Sequence, residues 1–305
     1  MATSVAALCN QLGVAVGFVL SPLILSFSSF GVLFLSEALL CVCVAICCFF
    51  FFQSSPPTPP SYAMACKLVD TEEAQTHVPS SAADQIIMMC SNFPFLCVSV
   101  TFAYVTGILY AISTLLGQIL DPYGYSSFQI GLLGMSLILT GILAAFAIGF
   151  VIDRTKRYKE LFHMCTIGSA LSILLFTFMI RSDNFVPLLL SACFMGFFFT
   201  SLLPLSFEYG VELSYPLDEE VSAGAEMFLA QVFGIVLTYS MLSMLNQFAS
   251  GLFLSLYTLL FMCVLFFACN VYFLRKAECV RMKYGELEER YRMTSLPPSE
   301  QTPLT

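Results

Sequence analysis

Residues 92–119 read NFPFLCVSVTFAYVTGILYAISTLLGQI, a run without one charged side chain. The run is longer than the roughly 20 apolar residues that a helix needs to cross the hydrocarbon core of a bilayer. Its apolar residues are continuous rather than alternating, so it lacks the pattern of a transmembrane barrel strand. Since a separate spanning segment can satisfy its backbone in lipid only as a helix, this run predicts a transmembrane α-helix.

Seven other segments have the same character. None of the eight contains Lys or Arg, and their only acidic residues are Glu37 and Glu226. The sequence therefore predicts an all-α integral membrane protein with eight transmembrane helices. The other seven spans are predicted at residues 2–25, 29–52, 128–152, 161–180, 185–207, 222–245 and 251–274.

Composition excludes several classes of protein. Hydrophobic residues make up 58% of the chain and charged residues 10%, whereas soluble domains carry about 25% charged residues. A net charge of -8 argues against a nucleic-acid partner, because phosphates are neutralised by a basic surface. The two histidines, His77 and His163, have no partners at metal-ligand spacing, and no nucleotide-binding or hydrolase motif occurs. We therefore predict a protein that is not an enzyme and uses no metal or cofactor.

The basic residues predict the orientation. With both termini in the cytosol, the inner segments are 53–91, 153–160, 208–221 and the tail from 275, and they hold eleven of the 12 Lys and Arg residues. Only Arg181 falls outside. This asymmetry is typical of cytoplasmic loops, so we predict cytosolic termini, and we take the plasma membrane rather than an organelle membrane as the expected location.

The long connection between the second and third spans divides the chain. It begins with the proline run PPTPP at residues 56–60 and continues as a polar segment, which is typical of an extended or flexible linker. We predict that residues 1–52 are the last two helices of one bundle and residues 92–274 a complete six-helix bundle, followed by a cytosolic tail, 275–305. This is the plan of a facilitator-type transporter without its first four helices. The count alone is equally compatible with an eight-span protein complete in itself.

Three polar side chains inside the predicted spans are candidates for a solute site. Gln11, Tyr110 and Gln231 lie within apolar helices, where polar groups tend to face a cavity or a partner helix. Hydrogen bonding between helices is the alternative role, and it is favoured by the glycines Gly13, Gly17 and Gly234, which predict close helix approach.

The cytosolic ends of two helices carry candidate gating residues. Gly149, Asp153 and Arg154 close the fourth span and could form a latch against a neighbouring helix end, or simply a positively charged inner loop. Glu208 and Glu212 lie four residues apart and should share one helical face at the membrane boundary. For Glu37 and Glu226, the two acids inside predicted spans, we weigh proton coupling against interfacial or paired roles.

These segments resemble the feline leukaemia virus subgroup C receptor family, solute carrier family 49, within the major facilitator superfamily. The proline run at 56–60 and DRTK at 153–156 are most similar to one less studied member. The matching stretches are NQLG (10–13) with AVGF (15–18), YAISTLL (110–116) with QI (118–119), FE (207–208) with VEL (211–213) and YP (215–216), and AQVFG (230–234).

The resemblance implies that the eight spans are helices 5 to 12 of twelve. It implies uniport-like movement of choline and ethanolamine, with heme export also attributed to members and pyridoxine transport to another branch. It places Gln11, Tyr110 and Gln231 in the central site, while a first-helix Trp of the family has no counterpart here. Two alternatives remain open: a heme exporter on the same fold, and a non-transporting receptor or assembly partner. The expected partners are a small solute and the lipid bilayer, with the protein acting as a monomer.

Overall fold

The computed structural model describes residues 2–51, 82–180, 184–214, 217, 219–247 and 251–274. Within these ranges every regular element is helical and no strand occurs, so the predicted all-α fold is confirmed. The predicted tail, 275–305, and residues 53–81 of the predicted linker, 53–91, lie outside the described residues.

Nine α-helices make up the described fold. Seven of them, α2 and α4 to α9, are long and apolar enough to cross a membrane. In α1 the apolar stretch, Gln11–Phe27, is shorter than in these seven helices. An eighth span at residues 2–25 therefore stays a prediction. The bounds are α1 Ala2–Phe27, α2 Phe30–Phe51, α3 Ala82–Ser91, α4 Phe93–Leu120, α5 Ser127–Thr155, α6 Tyr158–Met179, α7 Phe185–Ser214, α8 Glu219–Gln247 and α9 Gly251–Phe273.

Helix α3 differs from the predicted extended linker. The last residues of that linker form a helix because Gln85 and Met89, four apart on one face, are buried, while Ile86 and Ile87 remain exposed. This short helix packs on the start of α4.

The C-terminal end of α7 also differs from the predicted boundary. The apolar pattern ends at residue 207, but the helix continues to Ser214. Asn92 explains part of this extension. Its side-chain oxygen caps α4 by accepting from the Phe95 backbone N–H at 3.3 Å, and its side-chain nitrogen donates to the Leu213 carbonyl at 2.8 Å. One side chain thus joins the beginning of α4 to the end of α7.

Helices α4 to α9 form the packed bundle. Helix α4 lies at its centre, with α7, α8 and α9 against it, and α5 packs along α7. The α5–α7 contact depends on glycine: a methyl group at Gly196 would overlap the Leu137 carbonyl oxygen, and one at Gly141 would overlap the Thr200 side chain. Thr140 donates to the Cys193 carbonyl at 3.1 Å across the same contact. The two backbones therefore lie as close as small residues permit.

The N-terminal helices are attached at one edge of this bundle. Helix α1 packs on α5, where Phe18 fills the space above Gly131 and Gly134. The expected close approach at Gly13 and Gly17 is wrong, because a methyl group at either position would meet no atom of the described structure within 4 Å. The expectation for Gly234 is confirmed, since the Tyr110 ring lies 3.0 Å from where its Cβ would be.

Candidate functional site

A stripe of polar and aromatic residues runs along one face of α4. Most of this helix is buried, but Thr114, Gly117 and Gln118 are exposed and Tyr110 and Ser113 are half-buried. These five positions follow the spacing of a single helical face. Along the second half of the central helix the open face is therefore its polar face, the reverse of what lipid contact would favour.

Tyr110 lies on the seam between α4 and α8. Its ring rests on Gly234. One turn earlier, a Cβ atom added at Gly107 would lie 3.0 Å from atoms of Phe233 and Gly234, so the α4 backbone runs close to α8 there. Gln231 is exposed and lies three residues before Gly234, so it shares a face of α8 with the residue that Tyr110 contacts. The structure therefore brings two of the three predicted site residues to one seam.

Gln11 lies on another helix, α1, and not at the α4–α8 seam. It is half-buried on α1, seven residues before Phe18 and on the face that packs on α5. Beyond it a cavity of about 500 Å³ separates α1 from the C-terminal end of α4 and the start of α5. Gly117 of the polar stripe reaches this cavity. Its lining residues are Val14, Gly17, Phe18, Ser21, Pro22, Gly117, Ser127, Ile130 and Gly131.

A second tyrosine of α4 has a structural role. Tyr104 is buried, donates its hydroxyl to the Leu259 carbonyl at 3.1 Å, and packs against the rings of Phe233 and Phe266 with centroids 6.1 and 4.8 Å away. It ties α4 to α8 and α9. Tyr110 makes no hydrogen bond with the described residues, which leaves its ring and hydroxyl available to a solute.

The predicted gating residues lie near the C-terminal ends of α5 and α7. Gly149 is half-buried with open space beside it, and Asp153 is exposed. The Arg154 guanidinium lies 4.5 Å from the centre of the Phe150 ring, one turn earlier on the same helix. Lys156 ends α5 with φ of 54°, and its backbone N–H donates to the Ile152 carbonyl.

Glu208 and Glu212 both lie in α7, on one face as their spacing predicts. Glu208 is half-buried, and the charged side chains that act on it are Asp153, Lys156 and Glu212. Between the two acids, buried Tyr209 stacks nearly parallel to Tyr158 of α6, with ring centroids 6.2 Å apart. The tyrosine fixes this segment against the bundle and turns Glu208 toward the α5 end.

Two buried polar contacts escape the sequence analysis. Ser206 of α7 donates to the Glu226 carboxylate of α8 at 2.6 Å, and Asn270 of α9 donates to the Thr101 hydroxyl of α4. Polar residues in apolar runs are visible in the sequence, but the pairing is not, because each pair joins helices that are distant along the chain.

Comparison with known proteins decides the family. Residues 1–216 match the sequence profile of the Major Facilitator Superfamily. The chain belongs to that superfamily. Its members' plan of packed spanning helices agrees with the bundle described above, and the match extends from α1 to the end of α7, so it includes both the N-terminal pair and most of the bundle.

Individual relatives within the Major Facilitator Superfamily confirm the resemblance drawn from the motifs. An uncharacterized MFS-type transporter of Caenorhabditis elegans is 33% identical over 79% of this chain and 42% of that protein. The choline/ethanolamine transporter FLVCR1 of Felis catus is 31% identical over 78% of this chain and 43% of its own length. The human choline/ethanolamine transporter FLVCR2 is 29% identical over 82% and 48%. The chain thus spans about half the length of these relatives.

Proposed function

We propose that the protein is a transporter that moves a small organic amine of the choline or ethanolamine class by alternating access, and that this chain supplies one side of its cavity. The polar stripe on the open face of α4 carries the proposal. It leads from Tyr110 to Gly117 at the edge of the 500 Å³ cavity. Relatives named as choline/ethanolamine transporters support the class of solute.

The chemistry of Tyr110 suits such a solute. A quaternary ammonium cannot donate hydrogen bonds, so it is held by aromatic faces, each contributing about 0.5–2 kcal/mol. The amide oxygens of Gln11 and Gln231 would orient the hydroxyl group or the cationic head. Heme is not favoured as the solute, because His163, the histidine within the described residues, lies on α6 with its ring against Phe267, whereas the polar stripe lies on α4.

The cytosolic charges complete the proposal as a gate. The gating residues on α5 are Gly149, Asp153 and Arg154, and those on α7 are Glu208 and Glu212. The two groups interact through Asp153 and Glu208. Because like charges repel, the interaction of Asp153 with Glu208 would favour separation of the two helix ends in the open state, whereas the cation Lys156, which also acts on Glu208, would favour the closed one.

The proposed location is the plasma membrane with both termini in the cytosol. The test is labelling of Cys66 and Cys279 by a membrane-impermeant maleimide. Both cysteines should stay unmodified in intact cells and react once the membrane is opened. Labelling of both from outside would reverse the orientation.

The solute is tested by substitution at Tyr110. The full chain is expressed alone and joined to the first four helices of a choline/ethanolamine transporter, and tritiated choline uptake and surface abundance are measured together. We expect saturable uptake from the joined form. Tyr110→Ala should weaken apparent choline affinity about 2- to 30-fold, the range that loss of one aromatic face implies, while Tyr110→Phe should lose much less because the ring remains.

Controls separate binding from folding. Tyr272→Ala removes a ring that is exposed at the end of α9 and should leave choline affinity unchanged. Gln11→Ala and Gln231→Ala should lower uptake at normal abundance, and Gln118→Ala, two turns beyond Tyr110, should matter less. A Tyr110→Ala protein that takes up choline with the parental affinity contradicts the choline site. Reduced abundance with unchanged affinity would assign these residues to helix packing instead.

A further inference from the structure

A groove between α8 and α9 has no part in the site described above. It is a cavity of about 210 Å³ whose third wall is α4. Tyr104 and Met241 lie buried in its floor, while Val236 and Ser240 on its rim are exposed. The groove is therefore open along one side to whatever surrounds the helix bundle.

The groove faces away from the proposed solute site. Ser240 lies nine residues after Gln231 on α8, which is about two and a half turns at 3.6 residues per turn. The two side chains therefore leave α8 on opposite faces. A ligand in the groove is distinct from the solute proposed to lie beside Tyr110 and Gln231.

The groove runs lengthwise between the two helices. Its lining extends from Phe233 to Met244 on α8 and from Ser255 to Phe266 on α9. Each stretch rises about 16 Å at 1.5 Å per residue. One leaflet takes up about 15 Å of the roughly 30 Å hydrocarbon core. The groove thus has the length of the hydrocarbon of a single leaflet.

Three aromatic rings close one end of the groove. Tyr104 packs against Phe233 and Phe266, with ring centroids 6.1 and 4.8 Å away. Phe233 is the middle residue of α8, which extends over Glu219–Gln247. Since α8 is long enough to cross a membrane, the closed end of the groove lies near the bilayer midplane.

The opposite end of the groove lies near a membrane surface. Met244 comes shortly before the end of α8 at Gln247, and Ser255 comes shortly after the start of α9 at Gly251. A hydrocarbon chain whose headgroup lies at that surface would enter beside Met244 and Ser255 and end at the aromatic rings. The orientation proposed above makes this the outer leaflet.

The polar groups of the lining are already satisfied. The hydroxyls of Ser240, Ser255 and Thr258 donate to carbonyl groups of their own helices at 2.8–2.9 Å. Tyr104 donates to the Leu259 carbonyl at 3.1 Å. The described lining therefore offers a ligand no unpaired hydroxyl donor, and a cavity of this kind does not attract water. Its chemistry favours a hydrocarbon.

The shape of the groove favours a flexible hydrocarbon. Met241, Met244 and Met262 belong to the lining, and methionine side chains adapt to irregular partners. A volume of about 210 Å³ drawn out over the length of a leaflet is a narrow slot. Such a slot suits one acyl chain better than the rigid fused rings of a sterol.

We propose that the groove binds one acyl chain of a phospholipid, drawn from the leaflet at the end where α8 and α9 are joined. The chain lies between the two helices with its terminal methyl group at the rings of Tyr104, Phe233 and Phe266. Packing holds it there, because lipid tails and apolar side chains differ little in hydrophobicity and a filled slot gains dispersion contacts. The proposal does not rest on the proposed transport function.

Photocrosslinking of the full chain in lipid nanodiscs tests the site. Two phosphatidylcholine probes carry a diazirine, one at the tip of an acyl chain and the other beside its ester bond, and each is a minor component of saturated phosphatidylcholine. Peptide mass spectrometry locates the adducts. We expect the tip probe to label around Phe233 and Phe266, and the ester-side probe around Met244 and Ser255. Equal labelling of the exposed helix α2 by both probes would refute the groove as a distinct site.

Filling the groove is the second test. Ser240→Trp places a large ring system in the slot from α8, and Thr258→Trp does so from α9, so each should remove the adducts of the tip probe at the aromatic end. Ser243→Trp is the matched control and should keep them, because Ser243 is exposed on α8 but does not line the groove. Gel filtration shows which variants are folded. Parental adducts in a folded Ser240→Trp or Thr258→Trp protein contradict the proposal.

Two further arms identify the occupant. Adding unlabelled phosphatidylcholine should dilute the adducts in proportion. If cholesterol removes them at a fraction where added phosphatidylcholine does not, the occupant is a sterol and the acyl-chain assignment is wrong. The joined form described above should keep the adducts, and their loss there would show that the added helices cover the groove, which overturns the lipid site. Adducts retained in a joined form that moves no choline refute the proposed solute but support the acyl-chain site.

Discussion

Helices α2 and α4 are both uncharged enough to span a bilayer, but they have opposite surroundings. In α4, 78% of the most apolar window is buried inside the protein, compared with 6% in α2. In the described structure α2 packs only on α1, with Leu33 as its buried residue. Hydrophobicity therefore identifies both as spans without distinguishing the centre of the bundle from its edge.

The side chains that distinguish the two helices are the small and polar ones. Helix α4 buries Ser99, Thr101 and Thr106 and leaves Tyr110 and Gln118 on its open face. Helix α2 consists mainly of Phe, Leu, Val and Cys, with Ser36 and Glu37 as its polar residues. Between helices in a membrane, packing and polar contacts replace the hydrophobic effect, so a span surrounded by protein contains small and polar residues on several faces.

The largest expected effect is at the tightest contact inside the bundle. Gly196→Ala places a methyl group on the Leu137 carbonyl oxygen. Because the methyl group is fixed to the α7 backbone and the oxygen belongs to the α5 backbone, the two helices must separate. We expect a loss of about 1–3 kcal/mol or more in stability, the cost of overpacking. Thermal unfolding of the full chain in nanodiscs and the monodisperse fraction on gel filtration measure it.

The matched control is the same substitution on the N-terminal pair. Gly13→Ala adds a methyl group to open space and improves helix propensity, so stability should hold or rise slightly. If Gly13→Ala destabilises the chain as much as Gly196→Ala does, the N-terminal helices are packed as tightly as the bundle. The difference in packing between α4 and the N-terminal pair would then be smaller than the structure indicates.

A smaller effect is expected from a buried polar contact. Asn270 is buried on α9 and donates to Thr101 of α4 and to the Phe266 carbonyl. Asn270→Leu should destabilise the chain by about 0.6–1.7 kcal/mol, the range measured for hydrogen bonds between membrane helices. Ser36→Ala on α2 removes a hydroxyl that bonds only its own helix and should change nothing. Equal unfolding temperatures for the two variants would show that the Asn270 contact adds no net stability.

Much of this fold is predictable from composition, and the packing is not. Long uncharged runs identify the spans, because the cost of charge in lipid is a local property of sequence. The close approach at Gly196 depends on Leu137 and Thr140, which are distant in the chain. For the same reason Gly13 and Gly17, which have the right residue type, meet no partner. The extension of α7 to Ser214 depends likewise on Asn92, more than one hundred residues earlier.

The candidate site divides in the same way. Tyr110 and Gln231 stand out in the sequence as polar groups in apolar helices, and the structure places them on one seam through Gly234. Glu226 stands out equally, but whether it is paired, exposed or buried depends on Ser206 and Gly210 of another helix. Sequence indicates which side chains are unusual, whereas three-dimensional contacts decide what each of them can do.

The smallest expected effect on stability is at Glu37. The informative quantity there is the sign of the change in the free energy of unfolding. This acid is exposed on α2, about 10 Å from the helix start at 1.5 Å per residue, and it makes no hydrogen bond or ion pair with the described residues. Intramembrane acids almost always face protein or water. Because the group is uncovered in both the folded and unfolded chain, Glu37→Leu should change the free energy of unfolding by less than about 0.5 kcal/mol.

In the joined form the same variant should destabilise, because added helices would cover this face. A loss in the chain alone that matches Asn270→Leu would place Glu37 against part of this chain, and α2 would then belong to the packed protein rather than to its edge.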